Sequence, residues 1–223
     1  MKRSLTAEAV LKFGLGIVLV AALVFLPAGT LRFPHGWLFM AVLFLPMLAA
    51  GIVLLRKRPQ LLEQRLKQKE QQREQSLVVK LSGLMFLVGF ILAGLDFRFG
   101  WTSLPDWVSY AAAGLFLLAY LLYAEVLREN PWLSRTVEVQ EHQTVVDTGL
   151  YGIVRHPMYS ATLLLFLSMP LILGSLVSFM VFLAYPLIIA KRIQGEEQLL
   201  KQELAGYEDY CQKVRWRLLP YIW

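Results

Sequence analysis

No charged residue interrupts the chain between Pro157 and Ala190. Those 34 residues in one helix would make a rod of about 51 Å at 1.5 Å per residue. A bilayer offers roughly 30 Å of hydrocarbon, so the segment must fold back on itself. The corner is expected at Gly174 and Ser175, with Pro170 just before them, which predicts a helical hairpin whose two ends return to one side.

Four further uncharged windows precede it, bounded by Lys12 and Arg32, Arg32 and Arg56, Lys80 and Asp96, and Asp106 and Glu125. Each is about long enough to cross a membrane, the third if Lys80 snorkels. With 57% hydrophobic and 17% charged residues the composition is too apolar for a soluble domain of this length. The fold expected is all-α: a polytopic transmembrane bundle of about six spans in a single domain over residues 1–223. Residues 1–126 would hold four spans, and 127–223 an inner loop, the hairpin and a C-terminal cytoplasmic helix. Lys2 and Arg3 ahead of an apolar run look like the start of a signal peptide, but more membrane sequence follows, so this segment is expected to be a retained first span.

Six spans with the N-terminus inside place 20 of the 22 Lys and Arg residues on the inner side, leaving Arg32 and Arg98 outside. This is the distribution of the positive-inside rule. It accounts for the net charge of +6 without a nucleic-acid partner. Phe97, Phe99, Trp101 and Trp107 fit an interfacial aromatic belt at the outer surface. The inner segment 56–80 reads either as an amphipathic helix on an anionic leaflet or as a solvated connector. The single cysteine, Cys211, excludes an internal disulfide, and neither His35 nor His142 has a partner at metal-ligand spacing, so no metal is expected.

The polar residues that could carry chemistry lie in two inner stretches, Thr136–Tyr159 and Lys191–Trp223, which the hairpin brings together. Pro157 suits a helix start, whose unpaired N–H groups and dipole favour an anion. Arg155 and His156 just before it add a cationic fork and a donor suited to the carboxylate of an amino-acid-like ligand. The same two residues also suit a topology anchor and an interfacial side chain. Beyond the hairpin, Arg192 and Glu196 share a helix face, with Glu197 about 100° away. A carboxylate there could accept hydrogen bonds from ribose hydroxyls while Arg192 clamps a substrate carboxylate; an ordinary helical salt bridge explains the pair equally. Tyr151, Tyr159, Tyr207 and Tyr210 offer ring faces that attract a cationic sulfonium, though interfacial tyrosines are common without such a role. No phosphate-binding glycine loop, nucleophile elbow or H-E-x-x-H motif is present.

The run Thr148-Gly149-Leu150-Tyr151, then Val154-Arg155-His156-Pro157-Met158-Tyr159, an apolar hairpin, Glu196-Glu197, and Tyr207 to Pro220 resembles the isoprenylcysteine carboxyl methyltransferase family in its prokaryotic form. The resemblance covers about the last 90 residues. It implies S-adenosylmethionine as cofactor, held at the cytoplasmic membrane face. Gln143, Thr144, Val145, Val146, Tyr151, Arg155, His156, Pro157, Met158 and Tyr159 would hold it from one side, and Glu196 and Glu197 from the other. Arg192 would be the catalytic residue facing a lipophilic acceptor. Ala161 stands where the family usually has glycine, and the interval from Glu197 to Tyr207 is one residue shorter than in the eukaryotic enzymes, which leaves the partner of Tyr207 open.

The implied reaction is displacement at the sulfonium methyl, where catalysis is mostly in-line positioning. Carboxyl methylation of an isoprenylcysteine-like acceptor heads the possibilities. Phospholipid N-methylation and thiol S-methylation stand beside it. A sterol-type reductase shares a similar Arg-His segment but uses NADPH, whose 2′-phosphate Glu196 and Glu197 disfavour. A scaffold or transporter is discouraged by spans with almost no buried charge.

Overall fold

The computed structural model describes residues 2–67, 73–133 and 139–223, all helix, turn or loop among the described residues. Four long helices come first: α1 (Lys2–Ala28), α2 (Pro34–Lys57), α4 (Arg73–Phe99) and α5 (Asp106–Glu129), with the short α3 (Pro59–Lys67) between α2 and α4. The hairpin follows as α6 (Pro157–Ile172), α7 (Leu176–Phe182) and α8 (Tyr185–Glu203), and α9 (Tyr207–Lys213) ends the series. α2 and α5 follow the helix dipole at their ends. Asp106 opens α5, and Arg56, Lys57 and Arg128 sit in the last turns of α2 and α5, where the helix dipoles favour them.

Five segments are long and apolar enough to cross a membrane: Leu5–Ala28, Pro34–Lys57, Ser76–Phe99, Asp106–Glu129 and Leu176–Glu203. They mark an integral membrane protein. The sixth apolar helix, α6, has only 16 residues, about 24 Å at 1.5 Å per residue, because Pro157 fixes its start and Gly174 its end. The third span also differs from its expected bounds, since α4 begins at Arg73 and carries Lys80 exposed within it. In the segment 56–80, α3 is a nine-residue helix, and residues 68–72 lie outside those described.

The hairpin corner falls where expected. Gly174 adopts φ +74, its N–H bonding to Leu171 O at 3.1 Å while Ser175 N–H bonds to Pro170 O at 3.0 Å. This is a Schellman ending, for which the left-handed residue is best a glycine. Ser175 then caps α7 by accepting from Ser178 N at 3.0 Å and donates its hydroxyl to Asp96 Oδ2 at 2.5 Å. Asp96, 1% exposed, also takes the backbone N–H of Thr102 at 2.7 Å and the Thr102 hydroxyl. A buried carboxylate is tolerable only when so satisfied, and here it ties α4, the following loop and the hairpin corner together. The returning leg is not one continuous helix. It breaks at Leu183 and Ala184, and Pro186, lacking an N–H, is accommodated in the first turn of α8.

The core is aromatic. Phe33, Phe39, Phe116 and Phe182 are fully buried, and Phe86, Phe90, Phe166 and Phe182 pack edge-on or tilted at centroid separations of 4.7–5.9 Å. α4 packs against α1, α7 and α8, and α5 runs along α6. Gly89 permits the α4–α7 approach: a Cβ there would lie 2.3 Å from the Phe182 ring. The hydroxyl of Ser178 uses the same closeness to donate to Gly89 O at 2.8 Å. Val10, Leu11, Leu15, Val18 and Leu19 on α1 stay exposed, as side chains facing lipid would. With α6 and α8 antiparallel, the start of α6 and the polar end of α8 meet at one end of the bundle.

Candidate active site

Three segments far apart in sequence converge at that end: the loop before α6, the polar half of α8, and the C-terminal strap after α9. The loop is anchored by Thr148, whose hydroxyl donates to Glu129 Oε2 at 2.8 Å. A 3-10 turn, Gly149–Gly152, follows. Tyr151 is buried there, with its ring hydroxyl accepting from Asn130 Nδ2 at 2.9 Å and its carbonyl from the Tyr210 hydroxyl at 2.7 Å. The next residues pair with the strap: Arg155 N–H bonds to Trp216 O and His156 N–H to Arg217 O, each at 2.9 Å. Pro157 then starts α6, as its fixed φ and missing N–H lead one to expect.

The adjacent carboxylates of α8 have separate fates. Glu197 is 3% exposed and turned inward. Its Oε1 accepts from Arg155 Nε at 2.7 Å and lies 3.3 Å from His156 Nε2, and its Oε2 accepts from Arg217 Nε at 2.9 Å. Arg155 completes its fork on the carbonyls of Val214 at 2.7 Å and Arg215 at 3.0 Å. Burial works against the Arg155 charge, but the hydrogen bond and charge of Glu197 outweigh it and hold its pKa above the ordinary value. Glu197 therefore locks loop, helix and strap into one frame. Glu196, a quarter exposed, accepts the Tyr159 hydroxyl at 2.5 Å on Oε2. The same hydroxyl accepts from Arg192 Nε at 3.0 Å.

These groups surround a pocket of about 820 Å³, counting the open solvent at its mouth. Of the residues that the resemblance implies, Gln143, Thr144, Val145, Val146, Tyr151, Arg155, His156, Met158, Tyr159, Arg192 and Glu196 line it. Pro157 and Glu197 are not in the lining; Pro157 is spent on starting α6 and Glu197 on the frame behind the wall. Of the stretch Thr136–Tyr159, residues 136–138 lie outside those described. The lining also includes Asn130, Trp132, Leu133, Leu200, Leu204, Tyr207 and Tyr210. The sequence signal for Leu200 and Leu204 was available, since they continue the four-residue step of Arg192 and Glu196 along one helix face. For Tyr207 and Tyr210 the sequence offers ring faces, and for Tyr207 also a place in the family-like run.

Along this face of α8 the pocket changes character, charged at Arg192 and Glu196 and apolar at Leu200 and Leu204. From Arg192 to Leu204 the helix rises about 18 Å. At the apolar end sits Tyr207, 4% exposed, whose hydroxyl is buried without a hydrogen-bond partner among the described residues. Burial, and next the Glu197 charge, push that hydroxyl's pKa well up, so it stays a neutral donor. A buried polar atom left unpaired is costly, and a polar ligand group beside it would offset that cost.

Residues 107–205 match the family model described as phospholipid methyltransferase. That stretch runs from the start of α5 through the hairpin to the end of α8 and takes in most of the pocket. The chain is also 28% identical over 91 residues to a Delta(14)-sterol reductase of Mus musculus, a match covering 40% of this chain and 22% of the reductase. The chain thus spans only about a fifth of that relative's length. From α5 to the end of α8 the chain is therefore similar to membrane phospholipid methyltransferases, with a shorter and weaker likeness to a sterol reductase.

Proposed function

We propose that the pocket binds S-adenosylmethionine and that the protein transfers its methyl group to a lipophilic anion at the cytoplasmic membrane face, an isoprenylcysteine-like carboxylate being the acceptor the site suits best. The observation that carries this reading is the polarity gradient along α8. Arg192 and Glu196 face the His156–Tyr159 start of α6, and Leu200, Leu204 and Tyr207 lie beyond, the profile of an amino acid joined to a nucleoside. The residues present fit the group: a carboxylate at Glu196 for ribose hydroxyls, ring faces at Tyr151 and Tyr159 for a sulfonium, the α6 start with His156 for a carboxylate, and the orphan Tyr207 donor for a polar atom of the base. When bound, the cofactor supplies an electrophilic methyl.

The chain's own contribution is positioning. Arg192 would hold the acceptor carboxylate at the lipid-side end of the pocket, in line with the methyl donor. An acceptor that arrives as an anion needs no general base. A phospholipid ammonium would have to lose a proton first and would meet the Arg192 charge, which places the carboxylate or a thiolate ahead of the amine that the family description brings to mind. The reductase likeness supports a second reading, with NADPH in the same pocket. Against it, Arg155 is consumed by Glu197 and two carbonyls, and Glu196 opposes a 2′-phosphate.

The test is transfer from methyl-labelled cofactor by purified protein in lipid nanodiscs, with prenylcysteine, phosphatidylethanolamine and alkyl thiol acceptors. Label in the prenylcysteine ester supports the reading. Label in phosphatidylethanolamine alone would move the protein to the amine class.

A further inference from the structure

We infer that Tyr159 is a positioning residue that fixes the pocket carboxylate of Glu196 for the cofactor and ties it to Arg192; this rests on reading the pocket as an S-adenosylmethionine site. Tyr159 enters from the first turn of α6, 5% exposed, with its ring stacked on His156 at a centroid distance of 5.7 Å and 28°. Its hydroxyl touches two residues one turn apart on the opposite helix, donating to Glu196 Oε2 at 2.5 Å and accepting from Arg192 Nε at 3.0 Å.

A phenol hydroxyl has one proton and two lone pairs. The proton goes to the carboxylate, and a lone pair receives the guanidinium. The two contacts therefore cooperate, because donation from Arg192 polarises the O–H that Glu196 accepts. The consequence for the pocket is directional. Glu196 is held through Oε2, which leaves Oε1, 4.0 Å from His156 Nδ1, oriented for a ligand hydroxyl. A carboxylate that rotates freely would have to be ordered by the ligand on binding, and that ordering weakens affinity. Because one hydroxyl serves both neighbours, anything that draws Glu196 is felt at Arg192, and such coupling between the two ends of the site is reciprocal.

The test is a double-mutant cycle on binding of S-adenosylhomocysteine to purified full-length protein by calorimetry, with wild type, Tyr159→Phe, Glu196→Ala and the double variant. Phenylalanine keeps the ring and its stack on His156, so the melting temperature should change little while affinity falls roughly tenfold, the equivalent of about 1.4 kcal/mol. In the Glu196→Ala background the same substitution should cost nothing further, since Tyr159 acts through Glu196. Wild-type affinity in Tyr159→Phe overturns the inference. So does an equal additional loss in the double variant, which would make the Tyr159 hydroxyl a direct ligand contact. Failure of Tyr159→Phe to fold overturns it as well, because the role would then be structural. A wild-type protein that binds no S-adenosylhomocysteine sinks the parent reading and this inference with it, a result distinct from additive losses in a protein that binds.

Discussion

Replacing Glu197 and Glu196 in turn should separate the frame of the site from its wall. Glu197→Ala strips a carboxylate with hydrogen bonds of 2.7 Å to Arg155 and 2.9 Å to Arg217, and with His156 at 3.3 Å. It leaves the Arg155 guanidinium, itself 8% exposed, with only two carbonyl partners. Breaking one side of a buried pair costs about 3–5 kcal/mol. The Arg217 side chain is a third exposed, and solvent screening keeps its share under about 1 kcal/mol. For a chain of this size each kcal/mol lowers the melting temperature by about 2–4 °C, so a fall of the order of 10 °C is expected. Glu196→Ala removes a quarter-exposed group and should cost under about 1 kcal/mol in stability, yet weaken S-adenosylhomocysteine binding by about 1.5–3 kcal/mol. Thermal unfolding by intrinsic fluorescence in detergent, paired with calorimetry, reads both quantities. A Glu197→Ala protein that melts like wild type but no longer binds would refute the assignment of Glu197 to the frame.

Arg192→Ala should leave S-adenosylhomocysteine affinity within about twofold, since the Tyr159–Glu196 bond survives, and should raise KM for a prenylcysteine acceptor by tenfold or more, as steady-state methylation would show. Gly89→Val should destabilise by about 1–3 kcal/mol through overpacking against Phe182, measured as a lower melting temperature with cofactor affinity retained in the folded fraction. Asp96→Ala should cost about 1.5–3 kcal/mol or more by orphaning the Ser175 and Thr102 donors, read in the same way. In a Cys211→Ser background, Cys replacing Ser103 should react with an impermeant maleimide from outside intact cells, and Cys replacing Gln202 only after permeabilisation; the reverse at either site refutes the topology.

The hairpin was legible because its two signals are local. An uncharged stretch too long to be one span needs a corner, and only Gly174 takes the left-handed φ cheaply. The start of α6 was legible for the same reason at Pro157. The break in the returning leg has a local signal in Pro186, which suits the first turn of a new helix, but the packing of Phe182 on Gly89, more than ninety residues earlier, is set only by the fold. The split between Glu196 and Glu197 could be seen as an angle of about 100° but not as a direction. Which carboxylate faces inward is decided by Arg155 and Arg217, on segments that meet α8 only in the folded chain. Arg155 illustrates this from the other side: its residue type suits a ligand carboxylate, yet the carbonyls of Val214 and Arg215, some sixty residues on, claim its donors. Nothing in the sequence marks Asn130 and Trp132, which follow α5 as an ordinary helix ending; only the fold brings them into the pocket lining with α8.

We propose that the pocket lined by His156, Tyr159 and Glu196 takes S-adenosylmethionine. The most direct test is calorimetric titration of the purified protein with S-adenosylhomocysteine and, separately, with NADPH. We predict saturable binding of S-adenosylhomocysteine with one site per chain, at least tenfold tighter than NADPH and weakened by about 1.5–3 kcal/mol in Glu196→Ala. Tighter binding of NADPH, insensitive to Glu196, would contradict it.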